Sequence, residues 1–248
     1  MKINYKEPYW GKYEWDLDEN KDNQYVTEFN KKDSAKIHNL FHQNKYALTV
    51  EFKLNKKYKS DDIYCIFGKP GKNFGLTYNK EADILALEFW TQGSTKVSDD
   101  EFHYVKFYDT HYKDLKDWIN ITIIRNEDEF IVYKNFERNN DKDFAKNLID
   151  DYRYEGELIG TGNPGSGVPE HRYHGSFDIK KMHFVEDVID IDVIKKISET
   201  KASDLNKLKE YKNIIFNHEF DTVNNEGIVF DNSENTYFAE KIPTFFVK

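Results

Sequence analysis

Three acidic residues stand at alternate positions near the start of the chain, Glu14, Asp16 and Asp18 in EWDLDE. Alternate residues of a strand share a face, so a strand here would set three carboxylates in a row. Carboxyl groups about 5–5.5 Å apart across a glycosidic bond suit retaining hydrolysis. A polar edge strand has the same alternation and is the simpler reading. A second cluster lies in the loop GNPGSGVPEHRYHG, residues 162–175. Asn163, His171, Arg172 and His174, beside Glu170, could rim a ligand site, or the stretch could be an ordinary structured loop. His-x-x-His also suggests a metal, but zinc wants further ligands in range. The only cysteine, Cys65, lies far off in the apolar strand pattern DIYCIFG.

Aromatic residues suggest another chemistry. A ring on an exposed sheet face stacks on a sugar while polar neighbours bond its hydroxyls. Candidates are Tyr78, Trp90, Tyr104 and Tyr108, with Gln92 just past Trp90 and His103 beside Tyr104. Aromatics are 16% of the chain, so most must be core, and Trp118 is assigned there. Asp61–Asp62, Asp99–Asp100 and Asp231–Asn235 offer oxygen ligands, which makes calcium a candidate cofactor. None of them matches an EF-hand loop, and solvated surface is the default. GKPGKNFG, residues 68–75, lacks the Gly-Lys-Ser/Thr and following helix of a phosphate loop, so it reads as a bulge or hairpin loop near a binding face.

These residues need a scaffold. The 248 residues suffice for one large all-β domain. Charged residues are 33% and mean hydropathy is −0.84, yet the aromatic content argues for a folded chain. The net charge is −9 with no basic stripe, so nucleic acid is not expected as a partner. The first residues, MKINYKEPYWGKYEW, hold no apolar run. No signal peptide or membrane insertion is expected, and the expected location is the cytoplasm or an assembled particle. A single cysteine allows no internal disulfide.

Alternation marks strands at 25–30, 46–54, 63–67, 74–79, 84–90, 102–108, 155–161, 176–186, 214–221 and 227–231. Residues 34–41 read as a strand leading into a turn. DWINITIIRNEDEFIVYKNFE, residues 117–137, reads as a hairpin: Ile119, Ile121 and Ile123 line one face, and Asn126, Glu127 and Asp128 supply the turn. On its second strand, Phe130, Val132 and Phe136 share one parity, with Ile131 and Tyr133 on the other. Helical spacing appears at 190–199 through Ile191, Ile194 and Ile197, and a second short helix starts at Ser203. Many short strands with regular turns predict a two-sheet antiparallel β-sandwich or jelly roll with short C-terminal helices.

The order of ALTVEFKL, CIFGKPGKNFGLTYN, LALEFW, WINITI with YKN, a Gly-rich loop and HGSFDIKKMHFVEDVIDIDVIKKI resembles the concanavalin A-like lectin/glucanase superfamily, most closely its laminin-G-like branch. Trp118, Tyr133 and Asn135 match that branch's hairpin, with Phe136 where glycine is usual. Gly175, Phe177 and Asp178 fit its closing strand loosely. Asp231, Ser233 and Asn235 match its Asp-x-Ser-Gly-Asn run, with Glu234 replacing glycine. The resemblance implies two curved antiparallel sheets, often with sugar on the concave face or rim loops. It covers roughly residues 1–200. Residues 201–248 would either pack on the same domain or begin another.

The expected function is therefore a non-catalytic carbohydrate-binding recognition domain whose partner is a glycan, with an accessory role in a glycan-processing protein or in a viral or bacterial surface structure as the expected setting. Its ligand-binding residues would be Tyr78, Trp90, Gln92, His103, Asn163, His171, Arg172 and His174. A glycoside hydrolase or lyase using Glu14, Asp16 and Asp18, and a protein-interaction domain, are the alternatives.

Overall fold

The structure is a computed structural model that describes residues 25–41, 43–54, 63–68, 74–79, 83–90, 102–107, 111, 113–127, 129–139, 160–161, 173–174, 177–220, 228–237 and 239–243. Its strands are β1 (Tyr25–Phe29), β2 (Lys45–Leu54), β3 (Ile63–Gly68), β4 (Phe74–Asn79), β5 (Ile84–Trp90), β6 (Phe102–Phe107), β7 (Ile119–Asn126) and β8 (Glu129–Lys134). They continue as β9 (Glu137–Arg138), β10 (Gly160–Thr161), β11 (Tyr173–His174), β12 (Phe177–Glu186), β13 (Ile214–Glu219), β14 (Ile228–Val229) and β15 (Ala239–Pro243). Among the described residues two α-helices, α1 (Lys31–Leu40) and α2 (Ile191–Glu199), interrupt them.

The strands form two sheets, as the alternation predicts. One has the order β14-β15-β1-β10-β3-β4-β5-β6, with β11 added against β3. The other has the order β13-β12-β2-β7-β8-β9. Among the described residues every strand pair is antiparallel except β11 with β3, which is parallel. Leu48, Val50 and Phe52 of β2, Ile119, Ile121 and Ile123 of β7, and Met182 and Phe184 of β12 face the other sheet. There they meet Ile66, Phe67, Leu76, Leu85 and Leu87. Burying these side chains stabilises the sandwich by roughly 1.5–3 kcal/mol each.

The second face of the six-stranded sheet is also covered. Ala47, Ile124, Val185 and Ile214 pack beneath Ile194 and Ile197 of α2 and Leu205 of the following 3₁₀ turn, Ala202–Lys207. The helical spacing at 190–199 thus has its counterpart in α2, capped by Asp190, whose carboxylate accepts from Asp192 N. The segment that starts at Ser203 is 3₁₀ in form. Lys181 fastens the far end of α2 by donating from Nζ to Ser198 O (2.9 Å) and Thr200 O (3.0 Å). A cation on the last carbonyls of a helix complements its dipole.

Three expectations are corrected. Residues 34–41 lie largely in α1, because Ser34, Ile37, His38 and Phe41 are buried together at helical spacing. Asn30 caps that helix, accepting from Asp33 N at 2.9 Å. Phe136 does not extend β8. It follows Asn135 in a two-residue turn into β9, with φ of 52° and 64° at the two positions. Trp118 is not in the core. Ile119, Ile121 and Ile123 take the inner face, so Trp118 falls on the opposite parity with Asn120 and Thr122, 44% exposed.

Residues beyond 200 are stitched into both sheets: β13 pairs with β12, and β15 with β1.

Candidate functional site

Trp118 stands on the outer face of the six-stranded sheet, one residue before β7. The neighbouring strands β2 and β12 pair there, Lys53 opposite Asp178. Their register breaks between Ile179 and Lys181. Ile179 opposes Phe52 and Lys181 opposes Glu51, so Lys180 is an inserted residue. Such a bulge re-aims side chains. Here it places Lys180 and Lys181 side by side against Glu51. Lys180 Nζ donates to Glu51 Oε1 at 2.7 Å. It also lies 5.9 Å from the Trp118 ring centroid. Lys53 Nζ lies 4.9 Å from the same centroid and 3.1 Å from Asp178 Oδ2. Exposed cation–π contacts are worth about 0.5–1 kcal/mol, so a stacking ligand can displace them at small cost.

The patch is an aromatic platform flanked by two ion pairs. Lys181 and Glu219 add a third beside it, 3.5 Å apart. Burial pulls the Lys181 ammonium pKa down, opposed by the Glu219 carboxylate. Ring, ammonium donors and carboxylate acceptors lie within one surface. That is the equipment for stacking on an apolar sugar face while bonding its hydroxyls. The signal lay in the sequence: Trp118 shares parity with polar Asn120 and Thr122, not with the isoleucines. The bulge at Lys180 has no comparable signature.

Of the residues predicted to bind ligand, the structure describes the side chain of Tyr78. Tyr78 is fully buried, and its hydroxyl donates to Asp83 Oδ1 at 2.7 Å. A ring so enclosed presents no face to a ligand. Trp90 ends β5 opposite Phe102, and His103 of β6 opposes Phe89. His174 lies in β11, opposite Tyr64. The side chains of Trp90, His103 and His174 lie outside the described residues, as do Gln92, Asn163, His171 and Arg172, and Glu14, Asp16 and Asp18.

The Asp231–Asn235 loop, a calcium candidate by composition, is occupied by its own chain. Asp231 Oδ1 accepts from Asn217 N (2.8 Å) and Ser233 N (2.9 Å). Its Oδ2 accepts from Ser233 Oγ (2.8 Å) and Tyr237 N (2.8 Å). Asn235 Nδ2 reaches back to Ile214 O and Ile215 O. The carboxylate's acceptor sites are filled by donors that pin the loop to β13. Among the described residues no group of three or more His, Cys, Asp or Glu is arranged to hold a metal.

No protein-family model matches the chain, and no curated protein matches it. Solved structures do. A candidate carbohydrate-binding protein from Bacteroides ovatus superposes with a TM-score of 0.53 at 12% identity, over 88% of this chain and 57% of that one. The shared fold is a two-sheet antiparallel β-sandwich. This chain spans a little over half the length of that protein. The botulinum neurotoxin serotype D binding domain gives a TM-score of 0.45 at 12% identity, over 66% of this chain and 38% of that one. A heptameric pentraxin from Limulus polyphemus gives 0.40 at 11% identity, over 71% and 73%. At such identities the likeness is one of fold.

Proposed function

We propose that this domain is a non-catalytic carbohydrate-binding module of the laminin-G-like kind, which recognises a glycan through the Trp118 platform. The exposed Trp118 ring between the Lys53–Asp178 and Lys180–Glu51 pairs carries this reading. Trp118 is 44% exposed beside the inward-facing Ile119, and an indole face left open at a sheet surface can stack on a sugar ring. A sugar suits it because one pyranose face is apolar while its edge needs donors and acceptors together. The fold likeness to a candidate carbohydrate-binding protein supports the reading without carrying it. The rim residues Trp90, Gln92, His103, Asn163, His171, Arg172 and His174 belong to the same proposal as a second contact region. So does calcium as an accessory ion.

A glycan array with and without calcium, followed by calorimetry on the best ligand, tests it. Trp118→Ala should weaken that ligand by ~2 kcal/mol, as truncating a central aromatic anchor does. No binding to any glycan in either condition would sink the proposal.

A further inference from the structure

The charges around Trp118 restrict what can sit there, and this inference rests on the platform proposed above. We infer that the platform takes an uncharged sugar ring and disfavours sugars bearing a carboxylate or sulfate. Each lysine in the patch is already matched by a carboxylate. Lys53 has Asp178 at 3.1 Å, Lys180 has Glu51 at 2.7 Å and Lys181 has Glu219 at 3.5 Å. The Lys181 ammonium is also spent on Ser198 O and Thr200 O, where it closes the end of α2. Asp117, exposed and next in chain to Trp118, adds a further negative charge. An acidic sugar at this place would have to break an existing ion pair and would leave Asp178 or Glu51 facing its own charge. Like charges brought together oppose binding strongly. The chain's net charge of −9 repels an anionic glycan at longer range in the same sense.

A neutral pyranose meets no such obstacle. Its hydroxyls both donate and accept. They can therefore bridge Lys53 to Asp178, or Lys180 to Glu51, without separating either pair. Its apolar face would replace the ammonium groups over the indole. Binding of this kind leaves no net charge to screen, so its affinity should be almost independent of salt.

The test uses the full chain and matched probes: neutral galacto-, gluco- and manno-oligosaccharides, and the same cores capped with sialic or uronic acid, each at low and high sodium chloride. Neutral cores should bind with little salt dependence and should lose binding on Trp118→Ala. Acidic capping next to the stacked ring should weaken binding at least roughly tenfold. The double variant Glu51→Gln, Asp178→Asn frees Lys53 and Lys180, and should gain acidic-sugar affinity that falls as salt rises. Tighter binding of acidic sugars to the unaltered chain would overturn the inference and leave the proposed function standing. Neutral-sugar binding that survives Trp118→Ala would overturn the inference and would also remove the platform from the proposed function, leaving glycan binding at another site. Absence of binding by every probe would remove the proposed function, and the inference with it.

Discussion

His183 lies in the middle of β12 and is fully buried, with Thr49 opposite it on β2 and Asn217 opposite it on β13. Neither ring nitrogen has a hydrogen-bond partner among the described residues. Burial, with Lys181 nearby, lowers its pKa from 6.5 to about 3. The folded protein therefore holds a neutral imidazole where the unfolded chain would take up a proton. Stability from this residue is fully present above pH 6.5 and is lost as pH falls toward 3. A fully charged imidazole at this depth would cost several kcal/mol. The expected outcome is a steep drop in the urea midpoint on acidification, flattened in His183→Asn. An equal acid slope in both proteins would show that other groups govern it. Trp118 is the converse case at this scale: a residue placed in the core by type and at the surface by parity. Residue identity alone predicted its environment wrongly, because the inward face of β7 was already full of isoleucine.

Among the elements, the turn from β8 to β9 shows what local sequence could and could not convey. Asn135 and Phe136 both adopt positive φ, the conformation of a two-residue hairpin turn with matching twist. Asparagine tolerates that region well, whereas phenylalanine does so at a cost of roughly 1–2 kcal/mol. Asn135 offsets part of that cost through a reciprocal pair with Asn120. Its N–H donates to Asn120 O at 2.7 Å, and its Oδ1 accepts from Asn120 N at 2.9 Å. This extends the β7–β8 ladder one step beyond Ile121 and Lys134 and fixes the start of β7, where Trp118 sits. Asn135→Ala should cost about 1–2 kcal/mol in denaturant unfolding and weaken glycan binding through misplacement of Trp118. A stability loss with unchanged binding would uncouple the turn from the platform. The strands themselves were legible because the alternating apolar residues of β2 and β7 mark the inner face, although the opposite face of both strands is largely buried as well. α1 was not, since a short stretch such as SAKIHNLF satisfies both periods until its buried positions are known. Nor was the bulge at Lys180, which depends on the strand beside it.

For the molecule as a whole, the sequence resemblance stops near residue 200, but the hydrogen bonding does not. β13 lines β12 from Lys181 to Val185, and β15 pairs with β1 from Tyr25 to Phe29. The Asp231 clamp locks the connection between them to Asn217. Removing residues 201–248 would expose the edge of β12, uncover Val185 and strip Leu205 and Ile214 from the outer layer. The shortened protein should lack a cooperative thermal transition and near-ultraviolet dichroism, and a native-like melt would refute this account. The site was less legible than the fold for a related reason. A platform assembled from β2, β7 and β12 draws on residues 51 to 180, and no local motif reports such a juxtaposition.

The pairing of β1 with β15 also sets a timetable. Tyr25 meets Pro243 across more than two hundred residues of chain, and β14 joins the same edge only through β15. Contacts so distant in sequence form slowly, since the loop they close must be ordered first. During synthesis the edge of β1 that pairs with β15 stays unsatisfied until β15, more than two hundred residues later, has been made. Completion of the nine-stranded sheet is thus a late event, and the nascent chain is most exposed to aggregation or to holding chaperones in that interval.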